Sequence, residues 1–250
     1  VSAIRDSALG DARTLPTARL SAFVSDPPYC SGGFTETARR KARGQGLRSE
    51  TVREDGWFEG DNMGTAGLVW LLRAVAFEAH RALVDGGSLL MFCDHRQIAN
   101  LSPAIESSGL RYTNLIVWNK GTPGLGMGFR AQHECILHFT KGSMSAHATD
   151  VGNVILCDRM TREERTHQTE KPVPLLRDLI RVVAPRDGIV ADPFLGSGST
   201  LEACLLEGVR GIGCERDPEK VRRVRLRCEA AVDGRDWRKP EQPSLFGGSR

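Results

Sequence analysis

Two short segments carry residues whose types and spacing suit chemistry. Asp26-Pro27-Pro28-Tyr29 directly follows the apolar run Ala22-Phe23-Val24-Ser25. Its two prolines stiffen the turn and leave carbonyls beside positions that have no N–H. The Asp26 carboxylate and the Pro27 carbonyl can accept both hydrogens of one amino group. Tyr29 can stack on the planar ring that carries that group. A plain β-turn is the alternative for a bare tetrapeptide. The position at the carboxyl end of a predicted strand favours a ligand site, because open α/β sheets bind their ligands there.

The second segment, Asp192-Pro193-Phe194-Leu195-Gly196-Ser197-Gly198-Ser199-Thr200, runs from a predicted strand into a predicted helix. Glycines let the backbone approach a ligand closely. The first turn of the helix offers N–H groups without intrahelical partners. No lysine precedes Ser199-Thr200, which excludes a Walker A phosphate loop. Roughly twenty residues further on, Glu215 closes the next strand, where an acid can hold a ribose diol. Dinucleotides and adenosyl cofactors both fit these residues.

The elements that must position the two segments alternate along the chain. Strands are predicted over 22–25, 88–93, 115–118, 135–139, 188–191 and 211–214. Helices are predicted over 63–84, 98–107, 175–183, 200–207 and 218–232. In the last of these, Val221, Val224, Cys228 and Val232 are assigned to the core and the arginines to solvent. Residues 31–62 form a polar stretch long for a loop, and 121–130 hold four glycines. The alternation predicts an α/β fold, doubly wound around a mostly parallel sheet.

At 250 residues, 40% apolar and 26% charged, the chain suits one such domain, here 1–232, followed by a polar, mobile tail over 233–250. The net charge of +3 does not by itself announce a nucleic-acid binder. Seven cysteines without a CxxC pair argue against zinc and for a reducing, cytoplasmic setting. Neither a leader pattern nor a membrane-length apolar run is present.

The segments, taken together and in order, resemble the S-adenosylmethionine (SAM)-dependent DNA amino-methyltransferases of the circularly permuted beta class, in which the catalytic motif precedes the cofactor motif. The resemblance covers roughly residues 7–232. It rests on Leu9-Gly10-Asp11, Val24 to Tyr29, Gly86 to Phe92, Val117-Trp118-Asn119-Lys120-Gly121, His133 to Leu137, His167-Gln168-Thr169-Glu170-Lys171-Pro172, and the Asp192–Thr200 segment. It implies a Rossmann-like, seven-stranded methyltransferase sheet in permuted motif order, and a bacterial or phage-encoded enzyme.

The same resemblance implies roles. Asp26, Pro27, Pro28 and Tyr29 hold a flipped target base. Asp11, Thr169, Lys171, Asp192, Phe194, Gly196, Ser197, Gly198, Ser199 and Glu215 surround SAM, with Lys171 alternatively structural. No metal is needed. Asp26 at the first motif position points to adenine N6. Cytosine N4, an RNA amine and a binder that has lost catalysis are the alternatives. Arg39, Arg40, Lys41, Arg43, Lys120 and Arg130 are candidate contacts to double-stranded DNA. Residues 141–166 form a short recognition segment, which suggests a short site, relaxed specificity or a homodimer. In the tail, Gln242-Pro243-Ser244-Leu245-Phe246 resembles the peptide by which bacterial DNA-processing proteins dock on the sliding clamp.

Overall fold

The computed structural model describes residues 2–4, 12–29, 64–124, 127–160 and 170–238. Within them the strands are β1 (Ser2–Ile4), β2 (Leu20–Ser25), β3 (Leu83–Cys93), β4 (Arg111–Asn119), β5 (His133–Thr140), β6 (Val154–Leu156), β7 (Ile189–Asp192) and β8 (Arg210–Cys214). The helices of eight or more residues are α1 (Thr65–Ala82), α2 (Ile98–Glu106), α3 (Val173–Val183), α4 (Ser199–Leu206) and α5 (Pro218–Val232).

One sheet runs in the order β1-β8-β7-β2-β3-β5-β4-β6. All neighbours are parallel except β5, which is antiparallel to both β3 and β4. Strands β2 to β8 make the expected seven, and the short β1 adds an eighth at the edge beside β8.

Side-chain alternation along the central strands divides the core into two layers. Phe23, Leu89, Met91 and Leu137 face Leu68, Leu72, Ala76 and Ala79 of α1 and Leu101 and Ile105 of α2. Ala22, Val24, Leu90 and Phe92 face Leu175, Leu176, Leu179 and Ile180 of α3 and Ala203 and Cys204 of α4. The central strands are therefore apolar on both faces, as parallel strands between helices must be. His138 also lies in the interior, where its Nε2 is 3.0 Å from Ser88 Oγ. Burial pulls its pKa down to about 4, so it is neutral at physiological pH.

Several elements differ from the sequence expectation. Helix α1 stops at Ala82 rather than at 84, because Leu83 already pairs with Leu20. The register then shifts, and Gly86, with φ of +83°, sits inside the strand rather than after the helix. Strand β6 was not expected, since its three residues carry no readable period. It is fixed by pairing with β4 and by Trp118 Nε1, which donates to the Cys157 carbonyl at 2.7 Å.

In α5, Arg227 is buried while Val232 is exposed, the reverse of the assignment by residue type. Position 227 falls on the inward face with Val224 and Cys228, and its charge is matched inside. Nor does the chain leave the domain at Asp233. The Arg235 N–H donates to the Ala230 carbonyl, and the Arg238 guanidinium reaches Glu170 at 3.2 Å. Among the described residues no helix is long and apolar enough to cross a membrane.

Candidate active site

Strands β2, β7 and β8 lie side by side and parallel, so their carboxyl ends share one edge of the sheet. That edge carries Asp26 to Tyr29 after β2, Asp192 to Gly198 at and after β7, and Glu215 after β8. The two segments singled out in the sequence thus become neighbours through strand order alone.

A buried carboxylate joins them. Asp192 Oδ1 accepts from Ser25 Oγ at 2.7 Å and from the Phe194 N–H at 3.0 Å. Its Oδ2 accepts from Thr200 Oγ1 at 2.7 Å. Ser25 is the residue before Asp26, and Thr200 lies in the first turn of α4. Asp192 therefore clamps the base of the first segment, the glycine loop and the helix that follows. Burial raises its pKa from the usual 3.8 to about 6, against the three hydrogen bonds, which favour the charged form.

The sign of the pH effect follows. The unfolded chain releases this proton first, so the contribution of Asp192 to stability falls as pH rises from about 4 to about 6. Above that range the buried charge costs about 3 kcal/mol. Asp192→Asn has no proton to release, and its amide can donate to the rotatable Thr200 hydroxyl. Its stability relative to the parent should therefore rise by about 3 kcal/mol between pH 4 and pH 7. Urea unfolding at the two pH values measures this, and a pH-independent difference would contradict it.

The loop after β7 depends on glycine at two points. Gly198 caps α4 with φ of +82°, and a Cβ there would meet Val224 Cγ2 at 2.7 Å. Gly213 in β8 leaves room for Leu195, whose Cδ2 would be 2.5 Å from an added Cβ. Leu195, Leu201, Val224 and Cys228 form the small apolar cluster that seats the loop on α5. Gly198→Ala should cost about 1–3 kcal/mol in stability. Adding Val224→Ala should recover only part of it, because the clash goes but the positive φ remains. Thermal melts of the single and double variants test this.

On the other side of Asp192, four ionisable side chains and a phenol pack together. Lys171 Nζ lies 2.5 Å from Asp26 Oδ2 and 3.4 Å from Glu134 Oε2. Lys120 Nζ donates to Glu134 Oε1 at 2.5 Å, and Tyr29 OH donates to Glu134 Oε2 at 2.7 Å. The Lys171 ammonium also sits over the rings of Tyr29 and Phe92, 5.2 and 5.1 Å from their centroids. Two carboxylates and two ammonium groups balance, so the cluster is neutral with all four charged.

Burial and the neighbouring charges oppose each other in this cluster. Burial pushes Glu134 up, but Lys171 and Lys120 outweigh it and hold its pKa below the usual carboxylate range. Burial pushes Lys171 down, and the attraction of Asp26 and Glu134 reverses this. For Asp26 burial wins over Lys171 and raises the pKa. Burial and the two nearby carboxylates push the Tyr29 phenol well above its ordinary value, so it remains a donor. Among the described residues, no geometric hydrogen bond reaches the buried Asp26 Oδ1. An unpaired buried acceptor costs about 1–3 kcal/mol, so this oxygen is poised for an incoming donor.

Lys171, expected around SAM, has its ammonium on Asp26. Lys120, expected on DNA, has its ammonium on Glu134 within the cluster. Glu134 was missed as a site residue. Its signal in the sequence was an acid directly before the apolar run Cys135-Ile136-Leu137. Glu215 is half-buried, and its Oε1 accepts from the Asp217 N–H at 2.9 Å. Arg130 is exposed in the β4–β5 loop. Asp11, Thr169, Arg39, Arg40, Lys41, Arg43 and the 242–246 peptide lie outside the described residues.

A second charged cluster braces the site. The Arg227 guanidinium, fully buried, donates to Glu170 Oε1 at 2.6 Å, to Glu202 Oε2 and to the Ser197 carbonyl at 3.2 Å. It ties α5 to the glycine loop, to α4 and to the residue before Lys171.

The chain is similar to known proteins in sequence and in fold. The N6/N4 methyltransferase family model, described as DNA methylase, matches residues 20–225. The type II methyltransferase M2.MboI of Moraxella bovis is 23% identical over 215 residues, which cover 79% of this chain and 76% of the relative. A crystal structure of the M1.HpyAVI–SAM complex superposes with a TM-score of 0.64, at 18% identity, over 91% of this chain and 98% of that one. PvuII DNA methyltransferase, cytosine-N4-specific, does so with a TM-score of 0.67 at 14% identity over 93% of each chain.

Proposed function

The chain belongs to the N6/N4 DNA methylase family, and on that premise we propose that it methylates the N6 amine of a flipped adenine in duplex DNA, with SAM as donor. The observation that carries this reading is Asp26. One of its oxygens is held by Lys171, and the other is buried with no hydrogen-bond partner among the described residues, next to Ser25, which Asp192 holds.

The residues present fit SAM. Gly196 and Gly198 adopt positive φ and present backbone without side chains at the start of α4. Phe194, Ser197 and Ser199 border that turn, and Glu215 ends the adjacent strand, where an acid meets a ribose diol. Asp192 acts through the loop it clamps. SAM, when bound, supplies an electrophilic methyl group on a sulfonium.

The protein's own part is to prepare the acceptor. An adenine amine is a weak nucleophile because its lone pair is delocalised into the ring. Asp26 Oδ1 and the Pro27 carbonyl accept the two amine hydrogens, which favours a more tetrahedral nitrogen and frees its lone pair. As the new N–C bond forms and the donor's S–C bond breaks to leave a neutral thioether, that nitrogen gives up one of these two protons. Tyr29 stacks on the base, its ring held by the bond from its hydroxyl to Glu134. Lys171 fixes the Asp26 carboxylate so that only Oδ1 is left to receive the amine. Positioning and fixed charge supply the catalysis, and the base must leave the duplex to reach these groups.

Transfer of labelled methyl from SAM to unmethylated duplex DNA and, in parallel, to RNA, followed by nucleoside analysis, tests the reading. Label in N6-methyladenine is the expected result. Label in N4-methylcytosine would overturn the choice of base, and label in RNA alone would overturn the choice of polymer. Mapping the methylated positions then yields the recognition sequence.

A further inference from the structure

The hairpin that joins β4 to β5 starts inside the site. Its two stems carry Lys120 and Glu134, which are bonded to each other. Beyond them the hairpin is braced. The Lys120 N–H donates to the Gln132 carbonyl and the Gly124 N–H to the Ala131 carbonyl, each at 2.8 Å. Gln132 Nε2 reaches Asn119 Oδ1 and the Gly121 carbonyl, both at 3.2 Å, and Arg159 Nη2 donates to Thr122 Oγ1 at 2.8 Å.

The tip is different. Met127 and Phe129 are fully exposed, Arg130 beside them is exposed, and a Cβ on Gly128 would meet nothing within 4 Å. Among the described residues, no hydrogen bond or ion pair reaches 127–130. A braced stem thus holds two large apolar side chains and an exposed cation in solvent, a few residues along the chain from Glu134, which accepts from the Tyr29 hydroxyl. Fully exposed large apolar side chains side by side mark a contact surface.

We propose that Met127 and Phe129 form a wedge that enters the base stack of duplex DNA and fills the gap left by the flipped target, with Arg130 on an adjacent phosphate. This rests on the reading of the site as a DNA amino-methyltransferase. Apolar side chains that replace a lost base recover stacking within the duplex, and a cation beside them meets the backbone charge. Gly124 and Gly128 add no side chains of their own to the hairpin. Continuity with the site favours DNA over a second copy of the chain. The same two stems that hold Glu134 and Lys120 carry the tip.

The test compares Phe129→Ala and Met127→Ala with the parent on two substrates that contain the mapped methylation site. In one the target base is paired, and in the other it lies opposite an abasic position and is already unpaired. Phe129→Ala should lower single-turnover methylation of the paired duplex by roughly tenfold or more, and of the unpaired target by less than about threefold, because the cost of extrusion is already removed there. Phe129→Trp should retain the parent's rate. Equal loss on both substrates, or no loss on either, would overturn the wedge. So would a change of oligomeric state in Phe129→Ala by analytical ultracentrifugation, since the tip would then be a contact between copies. If the parent methylates no duplex DNA, so that no site can be mapped, the DNA reading itself fails, an outcome distinct from a failed wedge.

Discussion

Asp26→Ala should lower methyl transfer to DNA by roughly a thousandfold or more while leaving SAM affinity within about threefold of the parent. The substitution removes the oxygen that receives the acceptor amine. It also strips Lys171 of its nearest counter-ion, at 2.5 Å, and leaves the ammonium with Glu134 alone. The buried cluster then carries an excess positive charge beside the incoming amine, which disfavours the positive charge that nitrogen must gain. The donor side is untouched, because Asp192 still holds Ser25, Phe194 and Thr200. Asp26→Asn should fall nearly as far. Its carbonyl would turn to Lys171, so the amide N–H₂ would face the amine. Calorimetric titration with SAM and single-turnover methylation separate binding from chemistry. Activity near that of the parent in Asp26→Ala would remove Asp26 from the assignment.

The largest loss of stability should come from a residue that touches no substrate. Arg227→Met should destabilise the protein by about 3–5 kcal/mol, since it leaves Glu170 and Glu202 without the cation they share in the interior. For a chain of this size that is a fall of about 10 °C in Tm. The loss has a second reading. Arg227 also holds the Ser197 carbonyl in the glycine loop, and Glu170 precedes Lys171. SAM affinity should therefore weaken in the variant even at temperatures where it is folded. Combining Arg227→Met with Glu170→Gln and Glu202→Gln removes the excess negative charge, which Arg238 beside Glu170 at 3.2 Å offsets only in part, and should restore most of the Tm but not the affinity. If the triple variant melts no higher than the single one, excess buried charge is not the cause.

The helical face of α3 was legible because Leu175, Leu176, Leu179, Ile180 and Val183 repeat at helical spacing and nothing local competes. The strands that enter the two motifs were legible as short apolar runs for the same reason. Arg227 was not. Its position obeys the period of α5, but an arginine is buried only where acids from other elements meet it, and Glu170 and Glu202 come from two different segments. Glu134 and Lys120 escaped similarly. Each is an ordinary charge at a strand end until β4 and β5 pair and bring them together. Strand β6 had too few residues to show any period.

The two motifs, the chemistry their side chains suit and the alternation that builds a parallel sheet were all present in the order of residues, because each depends on neighbours in the chain. The strand order was not, nor were the contacts that follow from it. β7 lies against β2, which puts Ser25 on Asp192 and joins the motifs. The turn before α3 lies over the end of β2, which puts Lys171 on Asp26 rather than on its own segment. These pairings join residues far apart in sequence, and their energy exists only when packing removes water from between them. For that reason the tertiary structure alone decided which carboxylate is held, by which ammonium, and which oxygen is left to accept a base.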